Sequence, residues 1–449
     1  MPTEPKTLAE LSRSLGAGAV RAQDVTERCL EAITARNSSL NAYTTVLADE
    51  ARAQAAEADR EIGAGRRRGP LHGVPISLKD LIDLRGAPTT AASRVRDGHI
   101  ARQDATLVRR LRDAGAVFIG KTNLHEFAFG TTNEDSAYGP ARHPLDDTRS
   151  PGGSSGGSAA SVLAAMAYAS VGTDTGGSIR IPAAACGLVG LKPTVGEIPI
   201  EGIVPLSATM DHAGPMCRSV EDAALMYRVM CGVPNPALPP PRKVRGLRFG
   251  VPRAYFFDLL DRQVADRFEE ASERLTAAGA ILEEVAISHT AEIAAVYLHI
   301  VMPEAVAYHA PTLESRPHDY TPNVRLRLEM GRYILAEDYV RAQHGRDVLT
   351  REVDEALAGR DGLLLPSLAV PATRLGQATV RIGEAEEPVR NIMLRLTQLF
   401  NITGHPALTV PCGRTAEGLP VGAQLVGIRH RTSELLRVAG AVERTLDYK

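Results

Sequence analysis

The residues able to do chemistry concentrate between Ser150 and Pro182, SPGGSSGGSAASVLAAMAYASVGTDTGGSIRIP, where seven glycines and seven serines fall within 33 positions. A flexible linker would scatter them. Here they form two clusters, Gly152 to Ser158 and Gly172 to Ser178, separated by the alanine-rich apolar segment Ala159 to Ala169. That segment has good helix propensity and almost no charge, so it is expected to be buried. Glycine-rich turns at both ends of a buried element can aim several backbone N–H groups at one point, which stabilises a developing anion. In the second cluster Gly176 and Gly177 lead into Ser178, whose hydroxyl is a poor nucleophile until a base takes its proton. No histidine is convincingly placed, which leaves Lys79, Asp174 and Lys192 as candidate bases. Lys79 stands out because it follows the apolar run Gly73-Val74-Pro75-Ile76-Ser77-Leu78. Desolvation there would bring an amine from about 10.4 toward about 7, where it is a competent general base.

Three other motifs are weaker on physical grounds. Gly115 to Thr122 spells the phosphate-binding pattern G-x4-G-K-[ST], but its four intervening residues are Ala, Val, Phe and Ile, a strand and not a glycine-rich loop. Gly153-Ser154-Ser155-Gly156-Gly157 fits a nucleophile elbow on Ser155, yet a turn-rich loop, His143 to Arg149, precedes it where an apolar strand is needed. Cys186 follows Ala183-Ala184-Ala185 and reads as a buried inert thiol. His125 and His212, nearest the serine region, read as structural, and no histidine pair has metal-ligand spacing, so no metal and no cofactor is expected.

The elements that must position these residues alternate along the chain. Helices are expected at Thr7 to Leu15, Val25 to Ala35, Val46 to Ile62, Asp104 to Ala114 and Asn123 to Phe129, with strands at Gly73 to Asp80, Ala116 to Ile119 and Leu188 to Leu191. Val220 to Met230 is helical, and the proline-rich connection Gly232 to Pro241 is the clearest break. Beyond it Leu247 to Val251, Gln263 to Ala278 and Ile281 to Val285 read as a βαβ-like unit, and Ala291 to Gly359 as largely helical. Short strands at Leu363 to Pro366, Ala407 to Val410 and Gly422 to Val426 precede a closing helix, Thr432 to Leu446. This is an α/β pattern, with a mostly parallel or mixed sheet covered on both faces. A net charge of −2 over 449 residues gives no reason to expect nucleic acid or an anionic membrane as partner. Five cysteines without C-x-x-C spacing, an N-terminus unlike a signal peptide and no uncharged apolar run of membrane length give a cytoplasmic protein as the expectation.

The blocks GVPISLKD, GGSSGGSAA and GTDTGGSIRIPAA together resemble the amidase signature family. FAFGTTNEDSAYGPARHP, CGLVGLKPT and GHPALTVPCG followed by GLPVGAQLVG extend the resemblance from about residue 5 to 445, loosest between roughly 235 and 400. It implies a single amidase domain over 1–449, with the core of the family pattern at about 70–230, a variable substrate-side region at about 286–400, and a large mixed twisted sheet with helices on both faces. It also implies a Ser–Ser–Lys triad: Ser178 as nucleophile, Ser154 as proton bridge in a cis peptide bond with Gly153, and Lys79 as base. The oxyanion would be held by backbone N–H groups of Thr175, Gly176, Gly177 and Ser178, with Asp174, Ser155 and Arg180 orienting the loop. The activity implied is hydrolysis of a small carboxamide to carboxylate and ammonia through an acyl-enzyme, without a partner protein, a homodimer being open as the oligomeric state.

Two relatives in the family give rival expectations. The block SSEAxSNLxRxDGxRYG of the glutamine-hydrolysing A subunit of glutamyl-tRNA amidotransferase is missing; residues 300–332 read IVMPEAVAYHAPTLESRPHDYTPNVRLRLEMGR. That departure argues against a glutamine-channelling component of a larger assembly. Ala342-Gln343-His344-Gly345-Arg346 nevertheless resembles the A-Q-x-x-R context of that relative, in which the arginine holds a substrate carboxylate. The membrane-inserting segment of fatty acid amide hydrolase is also missing. A ureido-amide of the allophanate or biuret type is a further substrate class open to this family.

Overall fold

Short apolar stretches bounded by glycine and proline become strands because both of their faces can be buried. The computed structural model describes residues 5–233, 235–236, 238–240 and 242–448. Part of the N-terminal stretch and positions 234, 237 and 241 of the proline-rich connection therefore lie outside the described residues. Thirteen strands are described: β1 (Tyr43–Val46), β2 (Pro75–Lys79), β3 (Val117–Thr122), β4 (Ala169–Asp174), β5 (Val189–Lys192), β6 (His212–Cys217), β7 (Arg248–Val251), β8 (Ile281–Glu284), β9 (Gly362–Pro366), β10 (Thr379–Ile382), β11 (Ala385–Pro388), β12 (Ala407–Arg414) and β13 (Pro420–Val426). Eleven of them form one sheet in the order β1-β3-β2-β4-β6-β5-β12-β13-β9-β7-β8, while β10 and β11 form a separate hairpin. The sheet is mixed: β3, β2 and β4 run parallel, as do β9, β7 and β8, and the other neighbours are antiparallel. Every residue of β2, β3, β4 and β6 is buried, which requires cover on both faces.

Several expected elements appear nearly as read, among them the closing helix Thr432–Leu446 and the parallel unit around β7 and β8. Three are corrected. Val46 does not open a helix: Tyr43–Val46 pairs antiparallel with β3, and the helix begins at Ala48. Asn123 to Phe129 holds only a single turn at Glu126–Ala128, with Phe127 at φ 49°. Most of its backbone donors are spent at long range, among them His125 N–H on Ser154 O at 3.0 Å and Phe127 N–H on Ala91 O at 2.9 Å, which leaves only Ala128 and Phe129 N–H to close the one turn, on His125 O and Glu126 O. Ala159 to Ala169 is not one helix either. The helix Gly156–Leu163 covers its first half, Ala165 takes φ 58°, and β4 starts at Ala169.

The helix Ile293–Ser315, with the turn before it, is long and apolar enough to cross a membrane by length and composition alone. It packs against the helices Pro322–Gly331 and Ala336–Leu357. Glu304 interrupts its apolar character and accepts hydrogen bonds from Ser207 and Thr209.

Candidate active site

β2 delivers Lys79 at its last position, and the parallel pairing of Leu78 with Val171 brings the end of β4 alongside. Lys79 is wholly buried. Its Nζ lies 2.7 Å from Ser154 Oγ and 2.8 Å from Thr173 Oγ1 on β4. Burial lowers this amine to about 7, against the charges of Asp211 and Asp174, which raise it. The peptide bond Gly153–Ser154 is cis. A Cβ at Gly153 would sit 2.7 Å from Asn133 N, so the loop carrying Ser154 lies directly against backbone there and only glycine fits.

Ser178 follows the turn after β4 and is buried, 5% exposed, in the same pocket of backbone. Its carbonyl accepts from Ser155 N–H at 3.3 Å, which ties the two serine clusters together. No hydrogen bond joins the hydroxyls of Ser154 and Ser178 among the described residues. Ser155 Oγ donates to Thr173 O at 3.2 Å, at the start of a helix entered from a loop, so it lacks the setting of an elbow nucleophile. Gly177 has φ 143°, and a Cβ there would meet Thr397 Oγ1 at 2.2 Å. Thr397 Oγ1 donates to Gly176 O at 2.6 Å and so fixes the peptide from outside the loop. Thr175 Oγ1 donates to Asp211 Oδ1 at 2.5 Å. Burial pushes the Asp211 carboxyl up to about 6, offset in part by that bond and by the N–H groups of Leu206 and Ser207.

The other candidate bases are engaged elsewhere. Asp174 and Arg180 are fully buried and paired at 2.9 Å. Burial alone would raise the Asp174 carboxyl, but the Arg180 guanidinium more than offsets it and holds the group well below the usual carboxylate range. Asn401 Nδ2 donates to the same carboxylate at 2.8 Å, and Arg180 also reaches Gln424 Oε1 at 2.6 Å. Lys192 Nζ donates to the carbonyls of His405 at 2.6 Å and Pro193 at 3.1 Å, and burial keeps it well below its ordinary value. His212 rests on Met210 O at 2.7 Å; His125 Nε2 lies 3.1 Å from Asp135 Oδ2, off the line of a hydrogen bond. Residues 117–122 are strand throughout, and Lys121 pairs with Asp80 at 2.9 Å in the core, so the phosphate-loop pattern has no loop. Cys186 is buried, which pushes its thiol far up. Arg346 donates to Gln343 Oε1 at 3.1 Å and Thr209 Oγ1 at 3.0 Å and makes no bond to Lys79, Ser154 or Ser178.

Thr173, Asp211, Thr397 and Asn401 were not singled out from sequence. Thr173 had a readable signal, a hydroxyl in a buried strand five positions before Ser178; the other three reach the site from distant parts of the chain.

The amidase family model matches residues 24–436. The chain belongs to the amidase family. An amidase of Pseudomonas putida is 44% identical over 428 residues, covering 92% of this chain and 90% of that protein. The A subunit of a glutamyl-tRNA(Gln) amidotransferase of Koribacter versatilis is 38% identical over 462 residues, covering 94% of each. The crystal structure of an amidase superposes with a TM-score of 0.93 at 37% identity, covering 98% of this chain and 99% of that one. Membership and these likenesses make the amidase-family chain a hydrolase acting on amides.

Proposed function

We propose that this chain alone hydrolyses small-molecule carboxamides to carboxylate and ammonia, with Ser178 as nucleophile, Ser154 as proton bridge and Lys79 as base. The observation that supports it is the 2.7 Å contact between Lys79 Nζ and Ser154 Oγ at an amine held near neutrality. Uncharged Lys79 takes the proton of Ser154 as Ser154 takes that of Ser178, and Ser178 Oγ attacks the amide carbon. The oxygen that becomes negative is met by the backbone N–H groups of Thr175 to Ser178; loss of one such donor typically costs 10²–10³ in rate. The proton returns along the same path to the amide nitrogen, ammonia leaves, and water enters to hydrolyse the acyl-enzyme with the relay acting again. Thr173 keeps Lys79 aimed at Ser154, while Asp174, Arg180 and Ser155 hold the loop.

A second reading is favoured by the likeness to the amidotransferase of Koribacter versatilis: a component inactive on free amides until joined to its partners. One experiment separates the two. Purified chain is incubated with aliphatic, aromatic, ureido and amino-acid amides and ammonia is measured. Release by the wild type, with Ser178→Ala reduced by at least about 10³-fold, supports the stand-alone hydrolase. Silence toward every amide in the absence of a partner refutes it.

A further inference from the structure

Arg390 opens the short helix Val389–Leu394 that follows the β10–β11 hairpin. Its guanidinium makes neither hydrogen bond nor ion pair with a described residue, and its Nε is buried without a partner. It stands 6.0 Å from the centre of the Phe129 ring. A second guanidinium, Arg327, lies 5.9 Å from the same ring and donates to Phe129 O at 2.6 Å, with no carboxylate in salt-bridge contact. Cations held without anions are costly when partly buried, and they are retained where something else supplies the negative charge.

Their position relative to the reacting groups is fixed from two sides. Phe129 begins the loop through Asn133 that lies against Gly153, next to Ser154. On the other side Arg390 lines a cavity of about 220 Å³ together with Tyr297 and Leu394. Those two side chains would be 2.5 and 2.9 Å from a Cβ at Gly176, so they are the wall the cavity shares with the turn before Ser178. Arg390 thus has on one side Phe129, at the head of the loop packed on Gly153, and on the other Tyr297, packed on Gly176. No described acid nearby comes into ion-pair contact with either: Asp135 acts on Arg327 through space while bonding Asn323 and facing His125, Glu126 accepts from Thr321, and Glu387 lines the cavity, so Arg390 is the less compensated of the two. Arg346 shares the unpartnered Nε but, unlike Arg390, donates from both terminal nitrogens, to Gln343 and Thr209.

We propose that Arg390, supported by Arg327 across Phe129, is a subsite for an anionic group on the substrate, so that the preferred amides carry a carboxylate on their acyl portion, as monoamides of dicarboxylic acids do. The inference rests on the hydrolase reading above: when ammonia is the leaving group, everything else available for recognition is on the acyl side. A planar guanidinium fork matches a carboxylate in two parallel hydrogen bonds, which a neutral terminus of the same length cannot make.

The test compares malonamate, succinamate and glutaramate with propionamide, butyramide and valeramide, reading kcat/KM for ammonia release. Wild type is expected to favour at least one charged amide over its neutral partner by roughly 10–100-fold, the range of charge-assisted hydrogen bonds. Arg390→Gln should collapse that ratio to within about threefold of unity, chiefly through KM. Arg390→Lys, which keeps charge but not the fork, should retain part of it, and Arg327→Gln should reduce it less than Arg390→Gln. Turnover of neutral amides with no preference for charge in wild type, or a ratio unchanged in Arg390→Gln, overturns the subsite and leaves the hydrolase reading standing. Inertness of wild type toward all six amides counts against the hydrolase reading and removes the subsite with it.

Discussion

Replacing Asp211 with asparagine tests the proton path without touching a residue that exchanges a proton in it. The Asp211 carboxylate accepts from Thr175 Oγ1 on one oxygen and from the N–H groups of Leu206 and Ser207 on the other. Asparagine can keep this arrangement, its carbonyl facing the two N–H groups and its amide facing a threonine hydroxyl that turns to accept. What changes is the charge, the largest of those that hold Lys79 up against burial. Thr173, in β4, and Thr175, in the bend just after it, are two positions apart, at most about 7 Å, and they bond Lys79 and Asp211 respectively. Taking the charges as about 7–10 Å apart on that spacing, an anion at an effective dielectric of about 20 is worth roughly 1.7–2.4 kcal/mol, on the order of one pH unit or slightly more. Only neutral Lys79 can take a proton, so kcat/KM should fall tenfold per pH unit below about 7 in wild type. In Asp211→Asn the amine loses its proton more readily, and this acid limb should move down by about one unit. The assay is initial-rate ammonia release from a neutral amide between pH 5 and 9 at constant ionic strength. A limb that stays in place or moves upward refutes the assignment of Lys79 as the base. A limb that disappears assigns it to Asp211 itself.

Two further outcomes follow from the buried charges. Lys79→Met should lose at least about 10³-fold in turnover yet gain about 2 kcal/mol of stability at pH 7, less than the full cost of a depressed lysine because Ser154 and Thr173 lose a partner. Since the folded amine sits at about 7 and an unfolded one at 10.5, the gain should be largest below pH 7 and fall as pH rises toward 10.5, where only the two lost hydrogen bonds remain and Lys79→Met is the less stable protein, as read by urea unfolding. Arg180→Met strands the Asp174 carboxylate and should cost about 3–5 kcal/mol by the same measurement at pH 7. Because Arg180 holds that carboxyl below its ordinary value, the difference should persist above pH 4 and narrow as Asp174 protonates at lower pH.

Local chemistry is what the sequence expressed best. Lys79 was legible because an apolar run that ends in lysine is unusual enough to demand a reason, and the two serine clusters because their glycines are spaced like turns. β6 was not legible: His212–Cys217 reads HAGPMC, without a β-branched residue and with a proline inside a central strand. It forms a strand because β4 pairs with it from His212 to Met216, while the ladder to β5 covers only Met216 and Cys217, so Pro215 stands where that second ladder has already ended. Arg390 was equally hidden, since VRNIML looks like any short amphipathic helix, and its significance lies in Phe129 and Tyr297, placed beside it by folding. Propensity speaks about neighbours along the chain, whereas these residues take their roles from neighbours across it.

The guanidinium of Arg180 joins Asp174 to Thr397, Asn401 and Gln424, residues made more than two hundred positions later. During synthesis, then, the loop that carries Ser178 emerges long before its anchor. Until residues 397–424 have left the ribosome and β13 has docked, Asp174 lacks the Asn401 amide, Arg180 lacks its three distant acceptors, and Gly176 lacks the threonine hydroxyl that steadies it. On the proposed mechanism, a nascent chain that already holds Lys79, Ser154 and Ser178 should still lack a fixed loop at Gly176, and competence should arrive late, with the last strand.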